Sequence, residues 1–215
     1  MHQKMNRRKI AVAVLMTGAL AATAVGAATA DTANRGGTGT TVAGQLNPLN
    51  NSGAAGRAEV HVHNRRLNVH VNAHGLAADL PHAQHIHFGK KARHECPSAF
   101  DDTNGDFRLT TAEGLPAYGP VRVSLTKTGA TGPGSVLAVD RFPTAPDGHV
   151  RYHRMTRTKE GIARGIRRGN AVVVIHGVDY NANGAYDFDS AGASELDPSL
   201  PAEATDPAVC GVLHR

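Results

Sequence analysis

The sequence is organised around one segment, Pro81-His82-Ala83-Gln84-His85-Ile86-His87-Phe88-Gly89. In an extended chain, successive side chains point to opposite faces, so His85 and His87 share one face of the predicted strand. Neutral imidazole is a good ligand for copper and zinc, and a strand can hold two such rings side by side. The pair is therefore half of a metal site. The alternative is a polar pair on a solvated strand face.

A second strand is predicted over residues 171–177, where Val172, Val173, Val174 and Ile175 form a continuous β-branched run. Such a run indicates a strand that is buried on both faces. It ends at His176, which makes this histidine a further candidate ligand. The alternative is a hydrogen-bonded core histidine.

The rest of the chain is also rich in predicted strands. Alternating apolar residues predict a hairpin in which Val60 pairs with Val69, Val62 with Leu67 and Glu59 with His70. His61, His63 and His70 then occupy the solvated face of this hairpin, and we leave them out of the metal site. Further strands are predicted over 121–125, 136–142 and 149–155, and a turn or a single helical turn over 161–169. The pattern predicts an all-β fold.

Residues 1–30 are predicted to be a secretory signal peptide, because four basic residues precede a small apolar run that ends in Ala28-Thr29-Ala30. An uncleaved anchor is the alternative, which the polar stretch after the cleavage site disfavours. Residues 31–41 are small and polar and are predicted to be a disordered leader. The fold is predicted to occupy residues 42–215 as one domain.

Removal of residues 1–30 leaves 19 basic and 18 acidic residues, a formal charge of +1. This balance gives no electrostatic reason to expect nucleic acid or an anionic membrane as a partner. Stable membrane insertion after signal cleavage is not expected. Binding of a partner protein or a cell-wall polymer is left open by the sequence. The expected partners are metal ions, and the expected location is extracellular.

Cys96 and Cys210 are the only cysteines in the chain. An even count in an exported protein predicts a disulfide between them. The bond would tie the C-terminal segment to the region that follows the histidine pair. His94, close to this region, is a possible third ligand, and an exposed loop histidine is the alternative.

The loop at 102–113 carries Asp102, Asn104, Asp106 and Glu113 at positions 1, 3, 5 and 12 of a calcium-binding loop. Position 6, where an EF-hand requires glycine, is Phe107, and the flanking prolines do not favour two EF helices. The segment fails as an EF-hand. A calcium loop between strands and a plain turn rich in Asp and Asn both remain open.

A second candidate calcium loop begins directly after the buried strand. It places Asp179, Asn181, Asn183 and Asp187 at positions 1, 3, 5 and 9, with a glycine at position 6. Position 12 is not acidic, so Asp189 would have to complete the set of ligands.

Two family resemblances follow from these pieces. The segment His85-Ile86-His87-Phe88-Gly89, within an alternating and hairpin-rich exported chain, resembles the strand that marks the CHRD domain. From about residue 42 to 213, the order of elements resembles that of actinobacterial secreted proteins carrying this domain. The resemblance implies an antiparallel, Greek-key-like β-sandwich.

The same pieces more distantly resemble copper-zinc superoxide dismutases, which have a similar histidine strand, a late V-V-x-H strand and a C-terminal Cys-Gly-Val. On that resemblance His85, His87 and His176 match copper ligands, and Cys96 with Cys210 matches the family disulfide. The chain departs from the family because it has no histidine between Cys96 and His149. It also lacks an arginine over 204–209, where the family carries the residue that steers superoxide. The departures argue against the zinc site and leave a three-histidine copper site.

These observations support two hypotheses of different class. The first is a non-catalytic exported module that binds copper, calcium or both. The second is an enzyme related to copper-only superoxide dismutases, whose metal would need an open coordination position. A serine hydrolase is disfavoured because the chain lacks a G-x-S-x-G motif and α/β alternation.

Overall fold

The structure, a computed structural model, describes residues 39–215. The predicted signal peptide and most of the predicted leader lie outside the described residues. The last residues of that leader, Thr40 and Thr41, belong to the first strand. No helix among residues 39–215 has the length and apolar character needed to cross a bilayer.

Eight strands and three short helices make up the described part of the chain. The strands are β1 (Thr40–Pro48), β2 (Ala55–His63), β3 (Arg66–His74), β4 (Gln84–His87), β5 (Val121–Ser124), β6 (Val150–Arg157), β7 (Val172–His176) and β8 (Pro207–Val212). The helices are α1 (Thr111–Tyr118), α2 (Glu160–Arg167) and α3 (Ala202–Thr205). Single 3-10 turns occupy Ala99–Asp101, Pro133–Ser135, Val139–Arg141 and Pro146–Gly148.

The strands form one curled antiparallel sheet in the order β5-β4-β7-β8-β1-β2-β3-β6. Its two four-stranded halves join where the end of β1 pairs with β8, at Asn47 opposite Cys210. Valines of β2 and β3 share one hydrophobic core with Ile86 of β4 and with Val173 and Ile175 of β7. The halves therefore pack face to face like a β-sandwich, and the prediction of an all-β antiparallel fold is confirmed.

The hairpin of β2 and β3 has the predicted register. Val60 lies opposite Val69, Val62 opposite Leu67, and Glu59 opposite His70. All four apolar side chains are fully buried or nearly so. A one-residue slip would turn this buried set toward solvent, so the hydrophobic pattern alone fixes the register.

Two local predictions of secondary structure were wrong. Residues 136–142 do not form a strand, because their apolar side chains instead cover the histidine-bearing face of β4 and β7. Residues 161–169, predicted to be a turn or a single helical turn, contain most of the two-turn helix α2, whose Ala163 and Ile166 face the core. Helix α1, for which no element was predicted, starts with a capping box made by Thr110 and Glu113.

The predicted disulfide is present. Cys96, in the loop after β4, is bonded to Cys210 of β8 across 114 residues of sequence. Cys210 packs with Tyr118, Val172 and Val174 in a second apolar cluster on the outer side of β7. The bond thus holds the loop after β4 against the sheet.

Replacing both cysteines with alanine should lower the free energy of unfolding by about 2–5 kcal/mol, because the unfolded chain loses a long covalent loop. Urea denaturation of the variant and of the wild type gives this difference. Wild-type protein unfolded under reducing conditions controls for the removal of the sulfur atoms and should match the variant. A loss below about 1 kcal/mol in both cases would contradict a stabilising role for the bond.

Candidate metal centre

The pairing of β4 with β7 brings the three candidate histidines together. His85 lies opposite Val174 and His87 opposite Val172 in antiparallel register. His176 follows Val174 by two residues, so it lies on the same face and diagonal to His85. Diagonal neighbours on adjacent strands are within reach of long side chains. The backbone register alone therefore positions the third ring beside the first two.

The three rings form a compact cluster, which we call the histidine triad. Ring centroids are 5.7 Å apart for His85 and His87, 5.3 Å for His85 and His176, and 6.3 Å for His87 and His176. One ring nitrogen from each residue lies within 4.8 Å of the others. Within residues 39–215, no other group of three or more His, Cys, Asp or Glu side chains converges in this way. His176, which only the dismutase resemblance groups with His85 and His87, thus lies beside that pair.

The triad is buried on the side of the half-sheet that faces away from the main core. Its exposed fractions are 2% for His85, 1% for His87 and 4% for His176. Tyr118 of α1 packs on His87 at 4.6 Å between ring centroids, and Phe142 packs on His85 at 5.2 Å. The solvated-face alternative for the histidine pair is therefore excluded.

Each imidazole is oriented by a backbone carbonyl oxygen. His87 Nδ1 bonds to the carbonyl oxygen of Gly119 at 2.7 Å, and His176 Nδ1 bonds to that of Thr205 at 2.6 Å. His85 Nε2 bonds to the carbonyl oxygen of Val136 at 3.2 Å. A carbonyl oxygen can only accept, so in each pair the ring nitrogen carries the hydrogen. The three carbonyls come from three separate connections, which fix the tautomer of all three rings.

The second nitrogen of each ring has no partner. His85 Nδ1, His87 Nε2 and His176 Nε2 are buried and make no hydrogen bond. In these tautomers each of the three presents a lone pair. A buried polar atom without a partner costs about 1–3 kcal/mol, so three within one cluster need an explanation. Metal-binding histidines commonly donate their other ring N–H to a carbonyl or carboxylate, and the triad has that arrangement.

The environment keeps all three rings neutral, which is the form that binds metal. Burial lowers the pKa of His87 to about 3 and that of His176 to about 4. Burial, together with the neighbouring rings of His176 and His87, lowers the pKa of His85 well below its usual value. Since the folded pKa values lie below those of the unfolded chain, the unfolded chain takes up protons first on acidification. Metal-free protein therefore loses stability as the pH falls below about 6.5.

The other histidines of residues 39–215 lie outside the triad. His82 is buried, and its Nδ1 lies 2.8 Å from the His176 carbonyl oxygen while its Nε2 lies 2.9 Å from that of Ala77; the neutral ring donates to one of the two. His94, which the sequence left open as a third ligand, bonds to the carbonyl of Asn170 and is not part of the cluster. His82 thus lies against the backbone of one triad member, a position that nothing in its sequence context indicates.

A small cavity of about 50 Å³ adjoins the triad. Its walls are the three rings, Tyr186, two threonines and aliphatic side chains, chiefly from residues 136–139 and 196–204. No charged side chain lines it. The space beside the ligand nitrogens is therefore narrow and mostly apolar.

The first acidic loop is held by hydrogen bonds from its own backbone. Asp102 accepts from the amides of Gly105 and Phe107, and Asp106 accepts from Arg108. Both oxygens of Glu113 accept from amides, one from Thr110 at the start of α1 and one from Thr103. Asn104 bonds through its side-chain amide to Asp106. Glu113 therefore has a structural role, and the calcium site at this loop stays a prediction.

The second loop gathers its predicted ligands more closely. The side-chain amides of Asn181 and Asn183 lie 3.4 Å and 2.5 Å from one oxygen of Asp187. Asp179 accepts from the amides of Asn183 and Gly184. Asp189, expected to complete the set, donates its own amide to Asp187. The calcium site here also stays a prediction.

The sequence is not matched by any known family model, and no curated protein matches it either. The CHRD and superoxide dismutase resemblances therefore rest on the short motifs alone. The triad geometry stands independently of both.

We expect the triad rings of metal-free protein to stay neutral when the pH is lowered from 7 to 5, because burial disfavours their charged forms. Long-range 15N–1H NMR should find the proton on Nδ1 of His87 and His176 and on Nε2 of His85. A matched His85→Ala spectrum assigns the Nε2-protonated ring. A triad ring that becomes charged above pH 5, or the opposite tautomers, would contradict the carbonyl anchoring described above.

Proposed function

We propose that this protein is an exported, non-catalytic metal-binding module that holds one transition-metal ion at the triad of His85, His87 and His176. Two observations carry the proposal: one ring nitrogen from each residue lies within 4.8 Å of the others, and each buried ring keeps one nitrogen without a hydrogen-bond partner. A bound cation would satisfy all three lone pairs at once. The carbonyl bonds on the opposite nitrogens supply the outer support that metal-binding histidines need.

Copper is the metal that these donors favour. The triad offers only imidazole nitrogens, with no thiolate or carboxylate in the cluster. Imidazole suits copper, zinc, nickel and iron, and for a given nitrogen site copper(II) binds more tightly than the other divalent first-row ions. Zinc also accepts three imidazoles, and metal analysis distinguishes it.

Export is supported by the disulfide as well as by the predicted signal peptide. The Cys96–Cys210 bond is of the kind that persists in oxidising compartments and is rare in the cytosol. An exported copper-binding domain of the CHRD type fits these features. The CHRD assignment itself remains part of the proposal.

Protein purified from culture supernatant and supplied with copper should retain about one copper ion per chain after dialysis. The His85→Ala, His87→Ala variant should retain none, because two of three ligands are gone. The matched control is His70→Ala, His153→Ala, which removes a stacked histidine pair from the outer face of β3 and β6. Elemental analysis measures the copper content, and circular dichroism verifies folding. Equal copper in the triad variant, or loss in the control, would contradict the proposed site.

The alternative function is a copper-only superoxide dismutase-like enzyme. Three protein ligands leave a coordination position open, and the small cavity lies beside them. Copper, when bound, would supply one-electron redox chemistry. Superoxide is an anion, however, and no lysine or arginine lines the cavity to attract it. This observation favours binding over catalysis.

We therefore expect copper-loaded protein to show no more dismutase activity than the same concentration of free copper. A standard superoxide assay at low ionic strength is the most sensitive measurement, since electrostatic steering is then strongest. The apo protein and the His85→Ala variant are the controls. Activity well above free copper in the wild type, abolished by His85→Ala, would establish the enzyme and refute the non-catalytic proposal.

Calcium at the second loop is a further proposal, which rests on the spacing of Asp179, Asn181, Asn183 and Asp187. If calcium binds only the folded protein, millimolar calcium should raise the melting temperature. Asp179→Ala should abolish the shift, and Asp197→Ala, at a half-buried residue outside the loop, should leave it unchanged. Scanning calorimetry measures the shift. No shift in the wild type would refute the calcium site and would leave the proposed metal site at the triad unaffected.

A further inference from the structure

A concave surface at one edge of the molecule collects positive charge that is scattered in the sequence. Lys90 follows β4, Arg122 lies in β5, and Lys159, Arg164 and Arg168 belong to or flank α2. All five line one cleft of about 660 Å³, which we call the basic cleft. No Asp or Glu is among its lining residues. The formal net charge of residues 31–215 is close to zero, so it does not reveal that positive charge is concentrated at this cleft.

The five cations have no acidic partners within the described part of the chain. The ion pairs there involve Arg57, Arg93, Arg108 and Arg167, and none of these lines the cleft. Like charges held around one concavity repel one another, and an anion bound between them relieves that repulsion. The cleft is therefore electrostatically suited to a multiply charged anion.

The floor of the cleft is apolar. Phe88 and Ile162 line it, and both are partly buried against the main core. The Arg122 guanidinium lies 5.6 Å from the Phe88 ring centroid and donates to the Phe88 carbonyl at 2.8 Å. Two of the other lining residues, Gly161 and Gly165, carry no side chain that would fill the space. A volume of this size falls within the range of small-molecule sites.

We propose that the basic cleft binds an organic phosphate, a phosphate monoester carrying an apolar or aromatic group. The phosphate would lie among the lysine and arginine side chains, which favour doubly charged oxyanions. The apolar group would rest on Phe88 and Ile162. This site is separate from the triad, and the proposal does not depend on metal binding.

Phenyl phosphate is a suitable probe, because it is largely dianionic near neutral pH and carries one flat apolar ring. Isothermal titration calorimetry at constant ionic strength should show saturable binding of one molecule per chain. Inorganic phosphate, which cannot use the apolar floor, should bind more weakly. Equal affinity for the two would overturn the assignment of an organic ligand.

The test variant is Lys159→Gln, Arg164→Gln, Arg168→Gln, which removes three exposed cations and leaves Arg122 to hold Phe88. The charge-matched control is Arg66→Gln, Arg151→Gln, Arg157→Gln, at exposed positions on β3 and β6. We expect the test variant to weaken phenyl phosphate binding by at least about tenfold and the control to change it little. No saturable binding to wild type, or equal weakening in both variants, would refute the cleft. Binding of long-chain polyphosphate without binding of phenyl phosphate would also refute it.

Discussion

The pairing of β4 with β7 is the interaction on which the site depends. It places Val174 opposite His85 and so carries His176 to the diagonal position on the same face. The same two strands send Ile86, Val173 and Ile175 into the main core, so their apolar faces hold the register that the histidine faces require. Packing of the core and geometry of the triad are two consequences of one pairing.

The triad has a cost that the fold must offset. Three neutral rings are taken out of water, and each keeps one nitrogen without a partner. At about 1–3 kcal/mol per unsatisfied group, the metal-free cluster removes several kcal/mol from a typical folding free energy of about 5–15 kcal/mol. A chain selected only for stability would place apolar residues there. Buried polar groups without partners persist in proteins mainly where they serve function. The unpartnered nitrogens are therefore stronger evidence for a functional site than the burial of the rings.

The outer face of the half-sheet is closed by connections, not by a second sheet. The carbonyls that orient the triad come from Gly119 after α1, Val136 after a 3-10 turn, and Thr205 at the end of α3. Gly119 has a φ of 82°, where an added Cβ would also contact Ala92 at 2.8 Å, so a glycine is required to aim that carbonyl. The disulfide at Cys96 and Cys210 ties one of these connections to the sheet. The rigidity of the site is therefore shared among segments far apart in sequence.

Hydrophobic periodicity predicted much of the sheet. The alternation of apolar and polar residues over 59–72 determines which face of the hairpin is buried and how its strands pair, and the β-branched run at 172–175 indicates a strand buried on both faces. Periodicity predicted the triad members but not their closeness, since nothing local encodes which strand pairs with β4. The strand predicted over residues 136–142 was wrong, because an apolar segment that covers the face of a sheet has the same sequence pattern as an apolar strand. The carbonyl anchors and the basic cleft had no local signal either, since both arise when distant segments meet. The candidate site could thus be proposed from residue type and order, whereas its geometry required the fold.

Metal binding at the triad requires that one ion contact three specified ring nitrogens. Anomalous diffraction from crystals of copper-loaded protein, recorded on both sides of the copper absorption edge, tests it most directly. We expect one strong peak about 2 Å from His85 Nδ1, His87 Nε2 and His176 Nε2, with the Gly119, Thr205 and Val136 carbonyl bonds retained. A triad without anomalous density, with copper instead at surface histidines such as His70 and His153, would contradict it.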